Sequence, residues 1–142
     1  MILLDANLLI YAVNEDAPLN RKAKQWLESA LSGQETVGFP WNVLLAFLRL
    51  ATRPGLFRNP LPARAAFDLV ASWFDCTPAT IVHPGPRHLT ILRDLLLPLG
   101  TAGNLTSDAH LAALAIECGA QLCSSDTDFA RFHGLKWRNP LV

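Results

Sequence analysis

Apolar positions along this chain fall into short unbroken runs and longer stretches with helical spacing. Residues 1–5 are too apolar to alternate and read as a short strand covered on both faces. Further strands are expected at 36–39, at 79–83 (ATIVH) and at 120–124 (AQLCS), with a last one near Leu135–Trp137. Between them the apolar spacing is helical. A short helix is expected over 6–13, and another from Pro18 to Leu31, with Ala23, Trp26, Leu27 and Leu31 on one face and Gly33 after it. Pro40 suits the first position of a helix running to about Thr52, and Pro62 the start of one reaching about Phe74. Helices follow across 86–97 and 106–118, the latter stopped by Gly119, and DFARF (128–132) makes a short one. TRPGLFRNPLP (52–62) and PLGTAGN (98–104) are connectors. Strands alternating with helices imply one α/β domain over residues 1–142, built on a mainly parallel sheet with helices on both faces.

Composition removes several classes. Half the chain is hydrophobic (51%), yet its apolar runs are short, such as VLLAFL at 43–48 and LAALAI at 111–116. A membrane span needs roughly 20 apolar residues, so no membrane role is expected. The N-terminus lacks the basic start and long apolar core of a signal peptide. Cys76, Cys118 and Cys123 lie in apolar surroundings at no metal-knuckle spacing and read as buried thiols of a reduced, cytoplasmic compartment. Twelve basic and twelve acidic residues leave no net charge, which argues mildly against a dedicated nucleic-acid binder. The distribution is uneven, however. From Thr36 to Phe67 there is no acid, while Arg49, Arg53, Arg58 and Arg64 all fall there. That segment is either a solvated flank or a patch for phosphate.

The acids collect elsewhere. In open parallel sheets, ligands bind beyond the carboxyl ends of the strands. Asp5 follows the first strand, Asp126 and Asp128 follow the 120–124 strand, and Asp108 sits in the first turn of the 106–118 helix. Singly, each is an ordinary helix cap or turn former. Together, four of the twelve acids meet one edge of the sheet, with no Arg or Lys partner expected in the same motifs. Crowded carboxylates repel unless protonated or bridged by cations. An all-oxygen donor set suits Mg²⁺ or Mn²⁺, ions that activate water and stabilise a leaving oxygen in phosphodiester cleavage. Other chemistries lack support. His83, His88, His110 and His133 form no HExxH or zinc pattern, and no GxSxG, P-loop or GxGxxG occurs. His110, two residues past Asp108, falls on a different helical face and reads as a packing or surface residue.

The strand ending in DAN and the segment TSDAHLAALAIECGAQLCSSDTDFARF (106–132) resemble the PIN-domain ribonucleases. LLDANLLIYAVNED, FPWNVLLAFLRLATRP (39–54) and FARFHGLKWRNPL (129–141) extend the resemblance, in order and over essentially the whole chain, to the VapC toxins of toxin–antitoxin pairs. The resemblance implies a three-layer α/β/α sandwich and a metal-dependent endoribonuclease leaving 5′-phosphate and 3′-hydroxyl ends. It also implies an inhibitory VapB-like antitoxin and a homodimer. Carried over by position, Asp5, Asp108 and Asp126 would be the catalytic metal ligands, with Asp128 helping to hold metal or water. Asn7 and Ser125 would support the carboxylates, and Arg49 and Arg53, four apart on one helical face, would contact RNA. Trp26, Trp41, Phe47 and Trp73 would pack in the core or line an antitoxin groove or dimer face.

One departure stands out. Many members of that family carry a glutamate where this chain has Ala46, so a single tight ion joined by a second arriving with substrate is expected, and Asn42 is a candidate neutral oxygen nearby. Two phosphotransferase classes fit worse. A haloacid-dehalogenase-like phosphatase needs an aspartate where Asn7 stands, and a receiver domain needs an early acidic pair and a late lysine beside its aspartate. A PIN-fold module that binds RNA or antitoxin without cutting stays open, and differs only in turnover.

Overall fold

The computed structural model describes all 142 residues. Five strands, β1 (Ile2–Leu4), β2 (Val37–Pro40), β3 (Ala79–Val82), β4 (Gln121–Cys123) and β5 (Trp137–Arg138), form one sheet in the order β3-β2-β1-β4-β5. Every neighbouring pair is parallel. The six α-helices are α1 (Ala6–Val13), α2 (Asn20–Leu31), α3 (Trp41–Ala51), α4 (Ala63–Phe74), α5 (His88–Leu96) and α6 (Thr106–Cys118). The chain steps from β1 to β2 to β3 in one direction and then crosses back to β4. With right-handed crossovers, α1–α4 cover one face and α5 and α6 the other. The packing agrees: α1 lies on α2 and α3, α3 on α4, and α5 on α6. The expected three-layer α/β/α sandwich is present.

The strands are buried on both faces, as unbroken apolar runs require. Leu3, Leu4, Val37, Phe39 and Leu122 show no exposed surface. Phe39 stacks on Trp73 of α4 at 5.9 Å between centroids, and Phe47 of α3 meets the same indole edge-on at 4.9 Å. Phe47 and Trp73 are therefore core residues. The middle of α6 is buried all round, from Leu111 to Ala115, and its alanines let the helix lie close against its neighbours. Gly119, at φ +65°, ends it in the left-handed region.

Several expectations shift. Pro40 is the last residue of β2, extended at φ −69° and ψ 147° and in register with Val82, so α3 begins one residue later. The helix expected from Pro18 starts at Asn20, and the last strand is only Trp137–Arg138. The thiols are not uniformly buried. Cys123 is buried in β4, but Cys76 is half-buried and Cys118, in the last turn of α6, is exposed.

Gly38 marks the tightest approach in the sheet. A Cβ there would run into Leu3 Cδ2 and lie 2.7 Å from Val82 Cγ2. Gly38→Ala should therefore destabilise the chain by about 1–3 kcal/mol, the usual cost of overpacking. A urea midpoint unchanged from the parent would show that β1 and β3 yield more easily than their packing implies.

Candidate metal centre

The sheet order reverses its sense at β1 and β4: connections from β1 lead to one side and those from β4 to the other. Such a switch point leaves a crevice outside the carboxyl ends of the strands. Asp5 ends β1 there, and Ser124-Ser125-Asp126 leaves β4 beside it, with the Asp5 N–H donating to Cys123 O at 3.0 Å. Asp5 is both a cap and a site residue. Its Oδ1 accepts the Ala6 N–H at 2.7 Å and so caps α1. Its Oδ2 accepts the Ser124 hydroxyl at 2.6 Å and Asn7 Nδ2 at 3.2 Å.

Ser124 is the hub of this arrangement. Its hydroxyl donates to Asp5 and accepts from Asn7 Nδ2 at 3.1 Å and from the Asp126 N–H at 3.0 Å. One donor and two lone pairs are all used, in a residue with no exposed surface. The expectation that Ser125 orients a carboxylate is corrected. Ser124 still extends the ladder, its N–H donating to Arg138 O, so its side chain takes the Asp5 side and the next residue faces away. Ser125 contributes only its N–H, which reaches Asn7 Oδ1 at 3.4 Å. The sequence signal for Ser124 was available, since it is the last residue of the apolar β4 run and a hydroxyl there must find partners. Ser124→Ala should cost about 1–3 kcal/mol by leaving buried groups unpaired. It should also slow any reaction at this site about 10–100-fold, as loss of a ligand's supporting partner typically does. A urea midpoint and a reaction rate both equal to the parent's would remove Ser124 from this role.

Carboxylate oxygens of Asp108, Asp126 and Asp128 lie within 4.8 Å of one another. Asp128 stays near Asp126 because its N–H donates to Asp126 Oδ1 at 2.9 Å, which starts the 3-10 turn Thr127–Arg131. Asp5 stands beside this trio rather than inside it, and lines a cleft of about 580 Å³ with Asp108, Asn42, Ala46 and Arg49. The electrostatics register the crowding. Burial first, then Asp126, Asp5 and Asp128, push the Asp108 pKa up to about 6. Burial also raises Asp5, offset in part by its bonds from Ser124 and Ala6 and reinforced by Asp126. Three of the four expected aspartates meet, and Asp5 shares the adjoining cleft with Asp108. The expected lack of a cationic partner does not hold fully, because Arg131 reaches Asp128 at 3.7 Å, with both side chains at least half exposed. A pair so exposed neutralises little of the cluster.

The donor set fits a hard divalent cation. It is all oxygen, with neither cysteine nor histidine in the group. The buried Asn42 Oδ1 has no hydrogen-bond partner in the protein, so an unused neutral oxygen stands in the cleft wall that Asn42 shares with Ala46. Arg49 lines the cleft as expected. Arg53 does not share its helical face, because α3 ends at Ala51 and Arg53 lies in the turn beyond. His110 is half-buried, and its Nδ1 is bonded to His88 Nε2 at 2.8 Å, tying α6 to α5. A groove of about 780 Å³ between α2 and α4, lined by Leu27, Leu31, Leu69 and Trp73, is larger than the acidic cleft but holds none of these aspartates.

The PIN domain family pattern matches residues 2–135. Ribonuclease VapC37 of Mycobacterium tuberculosis is 49% identical over 140 residues, covering 99% of this chain and 97% of its own. Ribonuclease VapC33 of the same organism is 44% identical over 141 residues, covering 99% of both chains. Among solved structures, VapBC2 from Rickettsia felis, bound to a promoter DNA fragment, aligns with a TM-score of 0.71 at 21% identity over 98% of each chain. VapC20 of Mycobacterium tuberculosis, a sarcin-ricin loop cleaving toxin, aligns with a TM-score of 0.69 at 20% identity, covering 96% of this chain and 99% of its own. At those identities the structures speak for the fold. With the family pattern spanning nearly the whole chain and full-length relatives close to half identical, this protein belongs to the PIN-domain family, among its VapC ribonucleases.

Proposed function

We propose that the chain is an endoribonuclease toxin that cuts RNA phosphodiesters with Mg²⁺ or Mn²⁺ held by Asp108, Asp126 and Asp128, with Asp5 closing the site. The observation that carries this reading is the approach of three carboxylates from two separate elements to within 4.8 Å. When bound there, such an ion supplies Lewis acidity toward the scissile phosphate and lowers the pKa of water. The protein's own part is positioning. Ser124 and Asn7 hold Asp5 Oδ2 in one orientation, so its negative charge is fixed rather than mobile. Arg49, in the cleft wall and free of any carboxylate partner, is placed to take a phosphate of the RNA backbone. Asn42 offers its unused oxygen where the family's glutamate is missing, which supports one tightly held ion with a second arriving alongside substrate.

A cognate VapB-like antitoxin completes the proposal. Solved relatives of the fold are described as VapBC pairs, and the α2–α4 groove, largely apolar and lined by none of the site aspartates, is a seat that leaves the acidic cleft to be blocked separately. A homodimer and a cytoplasmic location belong to the same reading. No helix is long and apolar enough to cross a membrane.

The test is incubation of a mixed cellular RNA pool with purified protein freed of antitoxin, in Mg²⁺, in Mn²⁺ and in EDTA. Discrete fragments with 5′-phosphate ends in either ion and none in EDTA are expected. Intact RNA in both ions, from protein that melts cooperatively, would favour a module that binds without cutting.

A further inference from the structure

The exposed face of α3 carries a row of which the catalytic reading uses only Arg49. Trp41, Leu45 and Arg49 follow one another at i, i+4 and i+8, a spacing that aligns them along one side of the helix over about 12 Å. All three are exposed, Trp41 at 48% and Leu45 at 59%. An indole in a soluble domain is usually well covered. This one takes part in none of the aromatic pairings of the fold, and its Nε1–H has no partner in the protein. The row is continuous with the acidic cleft. Leu45 and Arg49 line that cleft with Asp5 and Asp108, and Asn42, the residue after Trp41, lines it too.

The chemistry of the row selects its occupant. It is an aromatic face and an aliphatic side chain ending in a guanidinium with no salt bridge, in a stretch from Thr36 to Phe67 without an acid. A protein partner would seat best on a broad apolar patch. This row is narrow, because Val43, Leu44 and Phe47 turn into the core and Leu48 beside it is half-buried against them. An aromatic plane beside a free cation is what an unpaired nucleotide presents itself to, the base on the ring and the phosphate on the charge.

We propose that Trp41, backed by Leu45, is a stacking platform for an unpaired base of single-stranded RNA next to the scissile phosphate, with Arg49 holding the neighbouring phosphate. The row then determines which nucleotides enter the cleft. This rests on the ribonuclease reading and adds to it a specificity-determining residue.

The experiment measures binding of a fluorescein-labelled, mixed-sequence single-stranded RNA of twelve nucleotides by anisotropy. The Asp5→Asn protein is compared with the same protein carrying Trp41→Ala, Trp41→Phe or Arg49→Ala, with mass followed by light scattering. The expected result is a loss of about 10–100-fold for Trp41→Ala, with most affinity kept by Trp41→Phe. Trp41→Ala should leave the slope of log affinity against log salt unchanged, whereas Arg49→Ala should reduce it by about 0.7. In the otherwise wild-type protein, Trp41→Ala should raise KM and redistribute the cut sites. Affinity and cut sites unchanged by Trp41→Ala, while wild type still cleaves, would overturn the platform alone. A change of mass on Trp41→Ala would overturn it in favour of a self-association face. Absence of both RNA binding and cleavage in the parent proteins would overturn the ribonuclease reading and the platform with it.

Discussion

Asp5→Asn should yield a protein that melts no lower than the parent in EDTA and cuts RNA at least about 100-fold more slowly. The two effects have one origin. Asp5 is a carboxylate drawn out of water and placed near Asp126, and its raised pKa shows that the metal-free fold bears a cost for its charge. Asparagine removes that charge and keeps an oxygen to accept the Ala6 N–H, so the cap on α1 survives. At the Oδ2 position its amide nitrogen meets two donors, the Ser124 hydroxyl and Asn7 Nδ2, so two hydrogen bonds are given up against the relief of the buried charge. What is lost is negative charge aimed at the cleft. Even supporting partners of metal ligands are worth 10–100-fold in activity, and a charge in the site itself should be worth no less. Thermal melts in EDTA and initial rates in Mn²⁺ decide the matter. A fall of more than about 4 °C, roughly the effect of 1 kcal/mol in a domain this size, would make Asp5 chiefly a structural cap.

Acid should weaken the ion before it harms the fold. With Asp108 at about 6, protons compete with the cation for that carboxylate below this pH. Apparent Mn²⁺ affinity, measured by titration calorimetry, should be nearly flat above pH 7 and fall by up to tenfold per unit below about pH 6. Stability of the metal-free chain should move the other way. Asp108 carries a folded-state pKa above its ordinary 3.8, so the native protein holds the extra proton between the two values. Its contribution is full below about pH 4 and is lost as pH rises through about 6. Asp108 is partly open to solvent, which screens the effect, so the melting temperature in EDTA should be modestly higher at pH 5 than at pH 7.5. Saturating Mn²⁺ should reverse that order. A melting temperature in EDTA that rises steadily from pH 5 to pH 7.5 would contradict the crowding of these acids.

Legibility from sequence followed the physics of burial. The order and type of every major element could be read because runs such as ILL at 2–4 are apolar enough to be strands only if both faces are covered. The boundary at Pro40 could not, since a proline suits both the end of an extended segment and the entry to a helix. The four aspartates were legible because parallel topology sends strand ends to one edge. The division of labour among them was not. Which of Ser124 and Ser125 serves Asp5 depends on a single residue of strand register, and the Asp128–Arg131 contact depends on a 3-10 turn that brings i and i+3 together. Arg49 and Arg53 looked equivalent at helical spacing until the helix ended between them. The large aromatic residues were legible only as a group. Phe47 and Trp73 went to the core, while Trp41, first residue of α3, was left facing water.

The central position of β1 bears on when the protein can begin to act. β1 is the first strand made, yet one of its two partners is β4, paired Ile2 to Gln121 through Leu4 to Cys123. Until that late segment arrives, one edge of β1 stays open, and Asp5 has neither Ser124 to hold it nor Asp126 beside it. A chain of this length takes on the order of ten seconds to synthesise. Before β4 is made, the nascent polypeptide holds only part of the centre and cannot assemble the rest. A nuclease built this way completes its centre only after Asp128 has been added.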